Sequence, residues 1–139
     1  MKVLGIDFGD VRTGIAVSDA DGIIAMPLTV IIEKKRAALI DKIAQIAEEQ
    51  GVGALVVGNP VNMNGTRGER SEQYEKIADL LRERLGLPVT MWDERLSTAH
   101  AYSVINMGST KGKKRRENID AVAASLILES YLGSLANKM

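Results

Sequence analysis

Three acids at widely separated positions, Asp7, Glu94 and Asp120, carry the chemistry that this sequence offers. Asp7 closes a run of alternating apolar residues. Glu94 follows a second apolar run within Asp93-Glu94-Arg95, and Asp120 stands near the start of an apolar-periodic stretch. There is no cysteine, and His100 is the one histidine. That composition removes zinc–thiolate sites, thiol chemistry and histidine-rich metal centres. Carboxylates brought to one rim repel each other, and the counter-charge that suits an all-oxygen set is a hard cation, Mg²⁺ or Mn²⁺, as one ion or two. Two such ions about 3.5–4 Å apart activate water and stabilise the leaving oxygen of an in-line phosphodiester cleavage. Arg12, Arg67, Arg70 and Arg95, with Lys111, Lys113, Lys114, Arg115 and Arg116, are the candidates to hold a nucleic-acid backbone. Taken singly, each acid has a plainer role. Asp7 can bond the following turn, Asp93 and Glu94 can cap a helix, and Asp120 can favour a helix dipole. They persuade as a set.

The elements that must position these acids follow from periodicity. Leu4, Ile6 and Phe8 alternate with Val3, Gly5 and Asp7, so Asp7 leaves the face opposite the apolar row. A second strand carries Ile15 and Val17, Asp21-Gly22 marks a hairpin turn, and Ile23–Ile32 is a third strand in which Pro27 predicts an edge or a bulge. Lys34–Gln50 turns helical, Ala54–Val57 is a buried strand, and Gly58–Arg70 is a loop. Ser71–Leu85 is a second helix and Val89–Trp92 a fifth strand. A short helix follows from Ser97 or Thr98 to about Met107, then a basic loop over Lys111–Arg116 and a last helix capped by Asn118. The order β-β-β-α-β-α-β-α-α predicts an α/β fold: a mixed sheet of a three-strand antiparallel meander plus two parallel strands, with helices on its faces. Ligand sites in open α/β sheets lie at the carboxyl ends of the parallel strands. That rule brings Asp7 and Glu94 to one rim, with Asp120 near enough to complete the group.

At 139 residues the chain is expected to form a single domain, 1–139. The longest nearly apolar run is Ile23–Ile32, far short of the ~20 residues of a membrane span, and no secretory signal is evident, so a cytoplasmic protein without membrane contact is expected. Net charge is zero, yet five of the 18 basic residues fall in Lys111–Arg116, leaving 13 against 18 acids elsewhere. A basic patch on an acidic body suits a phosphate-bearing partner.

Four blocks together resemble the YqgF (RuvX) family. They are Gly5-Ile6-Asp7-Phe8-Gly9 with Arg12-Thr13-Gly14; Val57-Gly58-Asn59-Pro60 with Asn64-Gly65; Asp93-Glu94-Arg95-Leu96-Ser97-Thr98; and Ile119-Asp120-Ala121-Val122-Ala123-Ala124. The resemblance spans essentially the whole chain. It implies an RNase H-like five-stranded sheet, Asp7, Glu94 and Asp120 as metal-binding acids, and kinship with RuvC-type Holliday-junction resolvases. It further implies a Mg²⁺- or Mn²⁺-dependent nuclease maturing the 5′ end of 16S ribosomal RNA in ribosome biogenesis. Its partners would be structured precursor RNA, within the assembling small ribosomal subunit, or branched DNA. RuvC-type resolvases carry four acidic ligands, two of them in the last helix. Here Ala121–Leu128 holds no acid, and Asp93 is the remaining candidate for a fourth.

Cleavage of branched DNA would call for a homodimer and cleavage of RNA is open to a monomer, while a non-catalytic RNA-binding assembly factor is the third possibility. Gly5–Gly9 with Thr13-Gly14 also resembles the phosphate hairpin of actin and the sugar kinases, but no second such hairpin is present in a chain of this length.

Overall fold

The computed structural model describes residues 1–60, 68–96 and 113–137, without the side chains of 113–118 and 137. β1 (Val3–Asp7), β2 (Arg12–Ser18), β3 (Ala25–Ile32), β4 (Ala54–Asn59) and β5 (Val89–Asp93) form one five-stranded sheet in the order β3-β2-β1-β4-β5. β1 to β3 make the expected antiparallel meander, while β4 and β5 run parallel to β1. Pro27 lies where expected. β3 is an edge strand, and its register against β2 shifts between Ile15 and Ala16, skipping Leu28.

Both faces of the sheet are covered. Leu4, Ile6 and Phe8 join Ile15, Val17, Leu55 and Val57 against α1 (Arg36–Gln50) and α2 (Glu69–Leu85). Val3, Ala16, Ala54 and Val56 meet α3 (Lys113–Asn137) through Ala124, Ile127, Leu128 and Leu132. Leu4, Ile6, Ile15, Ile43, Leu55, Leu81 and Leu128 are all but sealed from solvent. Each such side chain contributes about 1.5–3 kcal/mol on burial.

The boundaries differ from expectation in ways that local hydrogen bonding explains. β3 begins at Ala25, two residues late, because the Asp19 carboxylate accepts bonds from the Ile23 and Ile24 amides at 2.7 and 3.1 Å and holds them in the turn. β4 continues through Gly58 and Asn59, which pair with Trp92 and Asp93 of β5, so Gly58 belongs to a strand and not to a loop. α2 starts at Glu69 after Gly68. The last helix begins at Lys113, not after Asn118. Lysine, arginine and glutamate are good helix formers, and Gly112 is the last breaker before them, so Lys113, Lys114, Arg115 and Arg116 extend the helix and are not part of a loop. Lys111, Arg67, His100, Asn64-Gly65 and the helix expected over 97–107 lie outside the described residues.

Ile119–Ala136 of α3 is, among the described residues, a stretch long and apolar enough to cross a membrane, longer than the expected Ile23–Ile32 run because it continues through Asp120 and Glu129. In the fold it lies along β1, β2 and β3 as a core helix.

Candidate active site

Asp7 is the last residue of β1, and its side chain leaves the face that α3 covers. In the antiparallel register its partner on β2 is Gly14. On the other side, the parallel register that pairs Ile6 with Val57 continues to set Gly58 beside Asp7. Both glycines make room. A Cβ at Gly14 would overlap the Asp120 carbonyl oxygen, and one at Gly58 would come within 2.7 Å of Glu94 Oε1 and 2.6 Å of Ile127 Cδ1. A hollow therefore flanks Asp7 on both sides. The backbone of α3 enters it from one side and the Glu94 side chain from the other.

Glu94 opens a single 3-10 turn, Glu94–Leu96, directly after β5. It shares a hydrogen bond with the Asp7 carboxyl group. Burial, that hydrogen bond and the negative charges of Glu94 and Asp120 together push Asp7 up to about 8. Two carboxyl groups in this relation hold one proton between them at neutral pH.

Asp120 sits at the same rim but has a partner of its own. Arg12 Nε donates to Asp120 Oδ2 at 2.7 Å, the two side chains being 37% and 28% exposed. Arg12 and Gly14 lie on the same face of β2, so the residue that admits the helix and the residue that grips its acid are two positions apart. Among the described residues, no three histidine, aspartate or glutamate side chains gather closely enough to hold a metal ion outright. Asp7 and Glu94 nonetheless fit a hard cation: both are oxygen donors, and they already share a proton at the place such an ion would take. Asp120 fits less directly, through exchange with Arg12.

Asp93 is elsewhere. Val89 and Met91 point into the α1/α2 core, so Asp93 shares their face and not that of Asp7. Its carboxylate is held by Arg95, from both the backbone amide at 2.9 Å and the guanidinium at 2.7 Å, which lowers its pKa below the ordinary value. Among the other cations, Arg70 faces Asp10 at 3.2 Å in an exposed pair. Trp92 packs at the rim, its Nε1 donating to Ser130 Oγ at 3.0 Å and its ring meeting Tyr131 edge-on.

A family model described as RuvX, Holliday junction resolvase, matches residues 1–134. The chain belongs to the RuvX family. Among curated relatives, the protein named "Putative pre-16S rRNA nuclease" of Thermoanaerobacter pseudethanolicus is 41% identical over 139 residues, covering 99% of this chain and all of that one. Its namesake from Geobacillus kaustophilus is 46% identical over 136 residues, covering 96% and 99%. Among solved structures, Thermus thermophilus RuvC superposes with a TM-score of 0.62 at 13% identity, covering 96% of each chain. The fowlpox virus resolvase complexed with Holliday junction DNA gives 0.62 at 13% identity, covering 97% and 99%. At such identities the two superpositions establish the RNase H-like fold.

Within this RuvX-family chain, glycines on neighbouring strands shape the surroundings of Asp7 in a way that periodicity undervalues. Gly5, Gly14 and Gly58 fall on the same sheet face in three adjacent strands, and a Cβ at Gly5 would press on Leu128 Cβ at 2.9 Å. The group that these glycines admit is chiefly the helix carrying Asp120. The signal was present in the sequence as glycine opposite the apolar row of β1, β2 and β4, but it needs the strand register to be seen.

Proposed function

We propose that this chain is a Mg²⁺- or Mn²⁺-dependent endonuclease that cleaves structured nucleic acid at the Asp7–Glu94–Asp120 rim, with the 5′ precursor segment of 16S ribosomal RNA as its substrate. The hydrogen bond between Asp7 and Glu94 carries this reading, because two half-buried carboxyl groups meeting at the carboxyl ends of parallel strands offer oxygen donors that a divalent cation can take in place of the proton. Asp7 and Glu94 would hold the cation, with Asp120 completing the set. Bound there, the cation would supply activation of a water and compensation of charge on the leaving oxygen. The chain's own contributions are distinct. Asp7 gives up the shared proton, Glu94 fixes the orientation of the pair, and Arg12, set by Asp120, presents a guanidinium to the phosphate backbone at the rim. Arg70, Arg95 and the basic first turns of α3 extend that backbone contact, with Arg67 and Lys111 as further candidates. The names of the curated relatives support precursor 16S rRNA as substrate, and ribosome biogenesis in the cytoplasm is the process this reading implies.

The test is cleavage of a precursor 16S rRNA fragment with Mg²⁺ or Mn²⁺ by the wild type and by Asp7→Asn. Metal-dependent cleavage lost in the variant supports the proposal, and equal cleavage by both overturns it. A four-way DNA junction belongs in the same experiment, since the family description and the fowlpox complex favour branched DNA as the second reading. Preferential junction cutting by a dimer would replace the first reading with the second.

A further inference from the structure

We propose that a cavity on the other face of β1 takes a single unpaired nucleobase of the substrate strand, an inference that rests on the nuclease reading above. The cavity measures about 160 Å³ and opens where β1 passes into Gly9-Asp10, between the start of α1 and the first turns of α2. Consecutive strand residues point to opposite faces. Phe8 therefore lines this cavity while Asp7 joins the acids, and the two sites share one rim, a sheet thickness apart. At roughly 30 Å³ per water the space holds about five waters. It admits a planar ring but not a whole nucleotide.

The floor is made of apolar side chains that show only a small edge to solvent. Phe8, Leu39, Tyr74 and Ile77 each keep 6–7% exposure, whereas their core neighbours Ile6, Ile43 and Ala78 keep none. The mouth is polar and cationic in effect. Glu33 is bound to Lys42 at 3.0 Å and Asp10 to Arg70 at 3.2 Å, so both carboxylates at the mouth are matched. Lys34, Arg36 and Gln73 also line it, and their side chains make no hydrogen bond or ion pair among the described residues. An apolar floor beneath uncommitted donors matches the polarity of a base attached to its phosphates. Proteins that bind single strands combine such an apolar or aromatic platform with a cationic track. A phosphate alone would leave the apolar floor unused.

The test is a heteronuclear NMR titration of the full chain, free of metal, with a single-stranded RNA octamer and with the same octamer made abasic. The intact octamer is expected to shift the amides of Phe8–Asp10, Lys34–Arg36 and Gln73–Ile77, and the abasic one to leave them in place. Asp7→Asn should keep these shifts. In cleavage, the Lys34→Ala/Arg36→Ala double variant, altered only at exposed positions, should raise KM by roughly fivefold or more, with the smaller part of the effect in kcat. Equal shifts from the abasic octamer would reduce the cavity to a phosphate site, and no shift at these amides would remove it from the substrate path. Either result overturns the proposal. Base-dependent shifts in a protein that cuts nothing would keep the cavity assignment and sink the nuclease reading instead.

Discussion

At the scale of single residues, Asp7 couples stability, metal affinity and activity through one proton. Its folded-state pKa, about 8, lies above the ordinary value of 3.8. The fold therefore binds that proton more tightly than the unfolded chain does. This contribution to stability is complete below the ordinary value and is lost as pH rises towards about 8. Asp7→Asn should accordingly stabilise the metal-free protein at pH 8, by a margin that calorimetry should find vanishing near pH 4. The same substitution should cut nuclease turnover by about 100-fold or more. Because a cation must displace the shared proton, Mg²⁺ or Mn²⁺ affinity should rise by about tenfold per pH unit below 8 and then level off. Titration calorimetry in buffers of different ionisation enthalpy would register the released proton. Arg12 competes with any cation for Asp120. Arg12→Gln should tighten divalent-ion binding by a few-fold while weakening RNA binding, two opposite changes that one variant can display.

At the scale of elements, the site depends on α3 lying almost in contact with the sheet. Gly14→Ala sets a Cβ against the Asp120 carbonyl, a backbone atom that cannot move without the helix. Such overpacking should cost about 1–3 kcal/mol, visible as a lower Tm. Gly58→Ala meets side-chain atoms of Glu94 and Ile127 and not backbone. Its expected signature is the reverse: a small loss of Tm with a large loss of cleavage, because Glu94 is pushed from its bond with Asp7. If both variants lost stability and activity in parallel, the hollow around Asp7 would be a packing feature only. The strands and helices themselves were legible from period and punctuation. Glycine's second role was not, since Gly14 and Gly58 are neighbours of Asp7 only across a sheet whose register is a long-range property.

For the whole molecule, zero net charge hides an uneven distribution, with Lys113–Arg116 opening the helix that also carries Asp120. That arrangement ties the basic segment to the acid rim through one rigid element. RNA affinity should fall steeply with salt. Neutralising Lys113, Lys114, Arg115 and Arg116 together should flatten the log–log salt dependence by up to about 3, if each contacts a phosphate. Fluorescence anisotropy at several salt concentrations would measure it. An unchanged slope would remove the start of α3 from the nucleic-acid surface.

By itself the sequence determined the mixed sheet with its meander and two parallel strands, the placement of Asp7 and Glu94 at strand ends, and the absence of thiol and histidine-rich chemistry. These are matters of local period, of turn residues and of composition, each readable within a few positions. Tertiary structure alone decided that Asp7 and Glu94 share a proton, that Asp120 is held by Arg12, and that Asp93 turns to the opposite face to pair with Arg95. It also decided that the basic segment continues as helix, and that glycines on neighbouring strands open the hollow. The division has a physical cause. Titration, ion pairing and close approach depend on distances between residues as far apart as 12 and 120, and those distances are fixed only when strand register and helix packing are fixed together.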